Sequence, residues 1–270
     1  MSNLKPLVSV LINNFNKDKF CEKAVKSVLN QNYKRIEIIF YDDGSSDSSI
    51  KKIKKIKNKN KIKIIENKKK RGKFFSLNQM NSIKNSLKIC KGKFVCILDS
   101  DDFFKKNKIE KVVSYFKKNK SSEIVFDLPI IYHSFLKKNI SRDEYFYREN
   151  KWPKFPPTSC LSFKKNSLKK NLNKIEFKEM NELWFDFRIS TFFSLKKNQF
   201  NLIEENLTFY RQNSNNYEKK YKKFLNKEWW NRRYQAFMFL KKLNKNKFNK
   251  NIFSFDFIIT LIVNKAFLIN

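Results

Sequence analysis

Three carboxylates in four residues, Asp99-Ser100-Asp101-Asp102, follow directly on the apolar run Phe94–Leu98. Because that run must be buried, the carboxylates emerge at the rim of a core rather than along a solvated surface. Clustered like charges repel and raise one another's pKa unless a cation intervenes. Oxygen donors with no His or Cys beside them suit a hard ion, Mg²⁺ or Mn²⁺, shared with phosphate oxygens of a substrate. A single Asp at a strand-to-helix junction is explained by helix capping, but three in four residues ask for more. A second acidic cluster, Asp42-Asp43-Gly44-Ser45-Ser46-Asp47, closes another apolar run, Ile36–Tyr41. Asp-Gly is an ordinary turn, and an Asp there can equally accept the imide or ribose hydrogens of a nucleotide. Asn13-Asn14-Phe15-Asn16 ends a third run, Leu7–Ile12.

These clusters need elements that bring them together. Leu7–Ile12, Ile36–Tyr41, Lys61–Ile65, Phe94–Leu98 and Glu123–Phe126 read as buried strands. Between them, apolar residues recur at helical spacing: about 17–31 through Ala24, Val25 and Val28, a helix through Ile50, Ile53 and Ile56, Phe74–Ile89, and a helix through Ile109, Val112 and Phe116. Alternating strands and helices predict parallel pairing with helices on both faces. Ligands of such sheets sit at the carboxyl ends of the strands, where all three polar clusters fall. From about 128 to 180 the pattern loosens around Trp152-Pro153 and Phe155-Pro156-Pro157-Thr158-Ser159. A helix through Trp184, Phe187 and Phe192 follows, then strand-like Phe200–Ile203 and the segment Leu207–Asn216. The chain closes on alternating basic and aromatic residues.

Composition narrows the chemistry. With 270 residues, 41% of them hydrophobic, the chain can bury a substantial core. Its 60 Lys+Arg against 25 Asp+Glu give a formal charge of +35. That surface suits a polyanion, nucleic acid or an anionic bilayer, while the even spread of lysines also fits compositional drift. One histidine, His133, and four cysteines without a CxxC pair exclude the usual zinc spacings, a disulfide framework and His-dependent nucleophilic catalysis. Catalysis must therefore run on carboxylates. The N-terminus lacks an apolar signal core, and no uncharged apolar run approaches the ~20 residues that span a bilayer. The expectation is a cytoplasmic protein, soluble or peripheral on the inner face of the cytoplasmic membrane.

Val8-Ser9-Val10-Leu11-Ile12-Asn13-Asn14-Phe15-Asn16, the helical Ala24–Gln31, Asp42–Asp47 and Gly92–Asp102 together resemble glycosyltransferase family 2 in content, order and spacing, over about residues 6–215. The resemblance implies an α/β fold of GT-A type: a Rossmann-like, mostly parallel sheet flanked by helices, here with a basic helical C-terminal extension. It implies a catalytic domain at 1–216, its nucleotide-binding half at about 1–127 and its acceptor half at about 128–216, followed by the extension at 217–270. The implied reaction is an inverting transfer from a nucleoside-diphosphate sugar to a hydroxyl of a polysaccharide or lipid-linked glycan, as in cell-envelope polysaccharide biosynthesis. By the same resemblance Asn14, Phe15 and Asn16 border the nucleotide, with Phe15 stacking on the base and Asp43 at its ring edge. Asp99 lies near the ribose and the metal's waters, Asp101 ligates Mg²⁺ or Mn²⁺, and Asp186 of Asp186-Phe187-Arg188 is the general base. Glu179 and Glu182 are its rivals. Arg71 or Lys84 supplies a basic contact to the base or phosphates. Pro156–Ser159 resembles an acceptor-side loop, and Tyr210-Arg211-Gln212 with Asn216 a segment that closes over the phosphates.

The chain departs from the family where Asn13-Asn14 replaces Pro-Thr, where Asn78–Ser86 replaces a glycine-bearing segment, and where Gln212-Asn213 stands near an expected His. A nucleotidyltransferase would need a Gly-rich loop after its first strand, and positions 13–20 contain no Gly. An RNA-binding protein is the non-enzymatic alternative, marked by steep salt dependence and indifference to Asp99 and Asp101. For the extension two readings stand: a basic amphipathic anchor on an anionic bilayer, or a helix pair packed on the catalytic domain.

Overall fold

The structure, a computed structural model, describes residues 5–56, 61–69, 71–132, 137–139, 146–148, 151–197, 199–212, 226–243 and 255–269. His133, Asn213 and Asn216 lie outside the described residues, as does most of 217–226.

Four parallel strands form one half of the main sheet: β1 (Val8–Asn14), β2 (Ile36–Asp42), β3 (Ile62–Glu66) and β4 (Phe94–Asp99), in the order β3-β2-β1-β4. Side chains alternate between faces as a strand's two-residue period requires. Val8, Val10 and Ile12 with Phe94, Cys96 and Leu98 face helices α1 (Cys21–Leu29), α2 (Ser49–Lys54) and α4 (Lys108–Lys118). Leu11, Val95 and Ile97 face α3 (Phe75–Ile89), α5 (Lys165–Asn171) and α6 (Phe185–Lys197). Burial on both faces explains why β1, β2 and β4 are almost continuously apolar. The exception is Glu37, 8% exposed in β2. Its carboxylate accepts from Ser9 Oγ at 2.6 Å, from Lys63 Nζ at 2.8 Å, and from the amides of Lys91 and Gly92. Gly92 is required there, since a Cβ would fall 2.5 Å from both Ser9 N and Oγ. One carboxylate thus ties β1, β2, β3 and the entry to β4.

The far half differs from simple alternation. β6 (Ile124–Tyr132) does not pair with β4, because β10 (Leu161–Lys164) lies between them, antiparallel to both. β11 (Leu202–Arg211) runs parallel to β6, with register shifts between Ile203 and Thr208, and the two-residue β5 (Phe103–Phe104) pairs antiparallel with it. The strand-like piece at 200–203 and the start of the segment after it, up to Arg211, therefore join in one irregular strand. β7 (Lys137–Asn139) extends the β6 edge, and β8 (Phe146–Arg148) pairs with β9 (Lys151–Lys154), so Trp152-Pro153 lies in a short strand instead of an irregular loop. The sheet is mixed, parallel through β3-β2-β1-β4 and β6-β11 and antiparallel elsewhere, with helices on both faces, the expected α/β class. Beyond it, α7 (Lys227–Leu243) and α8 (Phe255–Ile269) form a helix pair. Ala236, Phe239 and Leu243 of α7 are buried in the cluster that holds α6. α7 therefore packs on the body of the sheet and its helices.

Candidate active site

The parallel register sets the strand ends side by side. Asn13 lies beside both Tyr41 and Asp99, and Asn14 beside Asp42. The cleft above this rim is lined from the strand ends by Asn13, Asn14, Phe15, Asp43 and Asp99–Asp102. Arg71, Gln79, Thr158, Trp184, Asp186, Tyr210 and Arg211 contribute from elsewhere, and Arg232 comes from α7. The three polar clusters share one cavity.

At its β2 end, Gly44 takes a positive φ of 79° to turn the chain, and Asp42 is withdrawn into the turn. Asp42 accepts Asn14 Nδ2 at 2.7 Å, Ser45 N at 2.8 Å and Ser45 Oγ at 2.6 Å. Asp43 faces the cleft. Its two oxygens accept Asn67 Nδ2 at 3.0 Å and Arg71 Nε at 2.6 Å. The Arg71 guanidinium also stands 3.7 Å from the Phe15 ring centroid and 4.1 Å from that of Phe75. Phe15, Asp43 and Arg71 form one unit, with a flat apolar surface beside a hydrogen-bonding edge. That combination suits a heteroaromatic ring.

Beyond β4 the carboxylates divide by environment. Asp102, 2% exposed, points down: it accepts Ser159 Oγ at 2.6 Å and the Arg211 amide at 2.8 Å. Burial, then the Asp101 and Asp99 charges, push it well above the usual carboxylate range. Asp99 receives long contacts from Gln79 Nε2 at 3.3 Å and Asn13 Nδ2 at 3.5 Å. Burial first and the Asp101 charge second push its pKa up to about 7, with a smaller push from Asp186. Asp101 opens to the cleft and pairs with Lys17 Nζ at 2.6 Å. Among the described residues no three His, Cys, Asp or Glu converge on a point, so an ion here would draw on one or two carboxylates and on substrate phosphates. Asp101 and Asp99 fit such an ion.

Beneath the rim lies a buried ion pair, Lys108 with Asp127 at 2.7 Å. Lys108 Nζ also donates to Ser159 O and to Thr208 Oγ1, each at 2.6 Å. Ser159 Oγ in turn donates to Asp102 Oδ2 at 2.6 Å and accepts the Asp99 N–H at 3.0 Å. This network fastens the 99–102 turn to β6 and β11.

The opposite wall is α6. Asp186 sits in its first turn, where exposed N–H groups favour a carboxylate, and accepts the Phe187 amide at 2.6 Å. Arg188 is fully buried. Its guanidinium donates to the carbonyls of Leu183 at 2.8 Å, Ile175 at 2.8 Å, Phe177 at 3.2 Å and Met180, staples the loop before α6, and has its pKa lowered by burial to about 10.

The sequence profile of Glycosyl transferase family 2 matches residues 9–198, most of the chain. The chain belongs to glycosyltransferase family 2. A Haemophilus influenzae glycosyltransferase is 36% identical over 115 residues, 42% of this chain and 34% of that protein. The Escherichia coli UDP-Glc:alpha-D-GlcNAc-diphosphoundecaprenol beta-1,3-glucosyltransferase WfaP is 36% identical over 114 residues, 42% of this chain and 43% of that protein. The matched part thus spans less than half of these relatives. Among solved structures, S. aureus TarS 1–349 in complex with UDP-GlcNAc superposes with a TM-score of 0.68 at 15% identity, covering 91% of this chain and 69% of that one. The mannosyltransferase PcManGT from Pyrobaculum calidifontis, in complex with GDP-Man and Mn²⁺, gives 0.60 at 12% identity, covering 96% and 69%. These likenesses establish the GT-A type of fold.

Within this family 2 member the predicted residues separate. Phe15, Asp43, Arg71, Asp99, Asp101 and Asp186 line the cleft together, and Asn14 lines it while bracing Asp42. Asn16 is not in the lining. At a φ of 49° it accepts the Ser46 amide and fixes the two loops to each other. Lys84 is not in the lining either. Its ammonium pairs with Glu176, so of the two basic candidates only Arg71 lines the cleft. Of the rivals to Asp186, Glu179 pairs with Lys242 and lies outside the lining, as does Glu182. Sequence reasoning missed Lys17, Gln79, Arg232 and the downward role of Asp102. Lys17 was hidden among 60 basic residues. Gln79 and Arg232 reach the site only through the packing of α3 and α7.

Proposed function

We propose that the protein is a metal-assisted, inverting glycosyltransferase that uses a nucleoside-diphosphate sugar. The observation that carries this is the meeting of Phe15–Asp43–Arg71, Asp99–Asp101 and Asp186 in one cleft of a family 2 chain. Phe15 and Asp43 would receive the base, with Arg71 shifting between that carboxylate and the ligand. Asp101 and Asp99 would hold Mg²⁺ or Mn²⁺, which when bound supplies charge neutralisation for the departing diphosphate. Asp186 removes the proton of the acceptor hydroxyl as its oxygen bonds to the anomeric carbon. The bond to the diphosphate breaks on the opposite face, so configuration inverts.

WfaP and the related WfgD of Escherichia coli are named for UDP-Glc and a diphosphoundecaprenol-linked acceptor, and TarS was crystallised with UDP-GlcNAc. On that basis UDP-sugars are the first donors to try, and a lipid-linked glycan the first acceptor. No described helix is long and apolar enough to cross a membrane. α8 nevertheless exposes Phe255, Ile258 and Ile262 along one side, a stripe suited to lying in an anionic bilayer surface beside such an acceptor. Vesicle sedimentation of Ile258→Glu/Ile262→Glu against the unaltered protein tests the contact, and equal binding removes it.

The test of the function is a panel of UDP-, GDP- and dTDP-sugars incubated with Mn²⁺, with release of the nucleoside diphosphate as readout. Metal-dependent release from one nucleotide class is expected. No release, with RNA binding that ignores Asp101→Asn, would instead support the polyanion-binding alternative.

A further inference from the structure

Lys17 reaches across the cleft rim to Asp101. Lys17 sits in the turn after β1, and its backbone is held from several sides. Its amide donates to Ser49 Oγ at 3.3 Å, and its carbonyl accepts the amides of Phe20 and Cys21, each at 2.9 Å. The residues on either side are pinned too: Asn16 N donates to Ser45 Oγ at 2.9 Å and Asp18 N to Asp47 Oδ2 at 2.9 Å. Asp101 is fixed from behind, its carbonyl accepting Arg211 Nε at 2.9 Å. Two anchored backbones therefore deliver an ammonium and a carboxylate to one point at the cleft surface. Lys17 is 33% and Asp101 18% exposed, so the pair is only partly screened by water.

The ammonium stands 2.6 Å from Asp101 Oδ2, and a divalent ion on that carboxylate would stand about 2.1 Å from it. Two cations cannot share that oxygen without strong repulsion. We infer that Lys17 is the built-in counter-ion of the metal seat, occupying Asp101 in the free protein and leaving it when a divalent ion arrives. This rests on the reading that Asp101 binds the metal, and it adds a specific consequence. The apparent affinity of the seat is set by a competing internal cation as well as by the carboxylates. The long lysine stem keeps the released ammonium next to the cleft, where an anionic diphosphate lies within its reach.

The experiment is a titration with Mn²⁺ alone, following free Mn²⁺ by electron paramagnetic resonance, on the full chain, Lys17→Met and Asp101→Asn. Lys17→Met keeps the aliphatic stem and removes the charge at a partly exposed position. Mn²⁺ should bind it roughly fivefold more tightly than the unaltered protein, the order expected for losing a competing, partly exposed ion pair. Equal or weaker binding by Lys17→Met, with Asp101→Asn still abolishing it, would overturn the counter-ion role and leave the metal site standing. If Asp101→Asn binds Mn²⁺ as the unaltered chain does, both the metal reading and this inference fail.

Discussion

Asp99, Asp101 and Asp102 share one sequence cluster and have three different surroundings. Asp102 is turned inward onto Ser159 and the Arg211 amide, Asp99 is held loosely by Gln79 and Asn13, and Asp101 meets Lys17. Asp186 lies on the facing helix, and under the proposed mechanism it touches the proton that moves and nothing of the nucleotide. Asp186→Asn should therefore lower turnover by about 10²- to 10⁴-fold, the usual weight of a general base, while UDP affinity in Mn²⁺ stays within about twofold. Matched calorimetry and initial-rate measurements check this, and a parallel loss of UDP binding would assign Asp186 to donor binding. Carboxylate clustering at strand ends made Asp43, Asp99 and Asp101 readable in the sequence. The direction in which each carboxylate points was not, because it depends on Ser159, Gln79 and Arg211, which lie 50 to 110 residues away or on another element.

At the scale of elements, the β-α alternation was legible through Phe116 because doubly buried strands leave continuous apolar runs. β10 was not: four residues, Leu161–Lys164, next to a Pro-Pro pair carry too short a signal, and only the sheet shows that they separate β4 from β6. Glu37 was equally silent, since one acid in an apolar strand reads as an interruption. In the structure, burial raises its pKa, but the hydrogen bonds from Lys63, Ser9 and the Lys91 amide, with the Lys63 charge, outweigh that and leave it below the usual value. A depressed carboxylate pKa stabilises the fold above the unfolded-state value of about 4.3. That contribution is lost as pH falls through the lower, folded-state value. Melting temperature should therefore drop as pH falls below about 4.3 in the unaltered protein, and Glu37→Gln should lose most of that slope while melting lower at neutral pH. An unchanged slope would mean that other carboxylates govern acid unfolding.

For the molecule as a whole, α7 is part of the core and of the site wall. Phe239 of α7 is fully buried against Phe177 and Phe187, Gln235 Oε1 accepts the Glu182 amide at 2.8 Å, and Arg232 reaches the cleft. The basic and aromatic composition of 217–270 announced helices, but the sequence left open whether they cover the catalytic body or a bilayer. Packing of α7 answers for α7, and the apolar stripe on α8 stays available for a membrane surface. Phe239→Ala should cost about 3–5 kcal/mol, read from the shift in urea midpoint; a change under about 1 kcal/mol would mean that α7 is a detachable appendage. The central claim is that strand-end carboxylates grip a cation and a diphosphate together, and calorimetric titration of UDP with and without Mn²⁺ into the unaltered protein and Asp101→Asn tests it most directly. Mn²⁺ should strengthen UDP binding at least tenfold in the unaltered protein and have no effect in Asp101→Asn, on the order expected for losing a shared metal ligand. Equal strengthening in both would contradict the account.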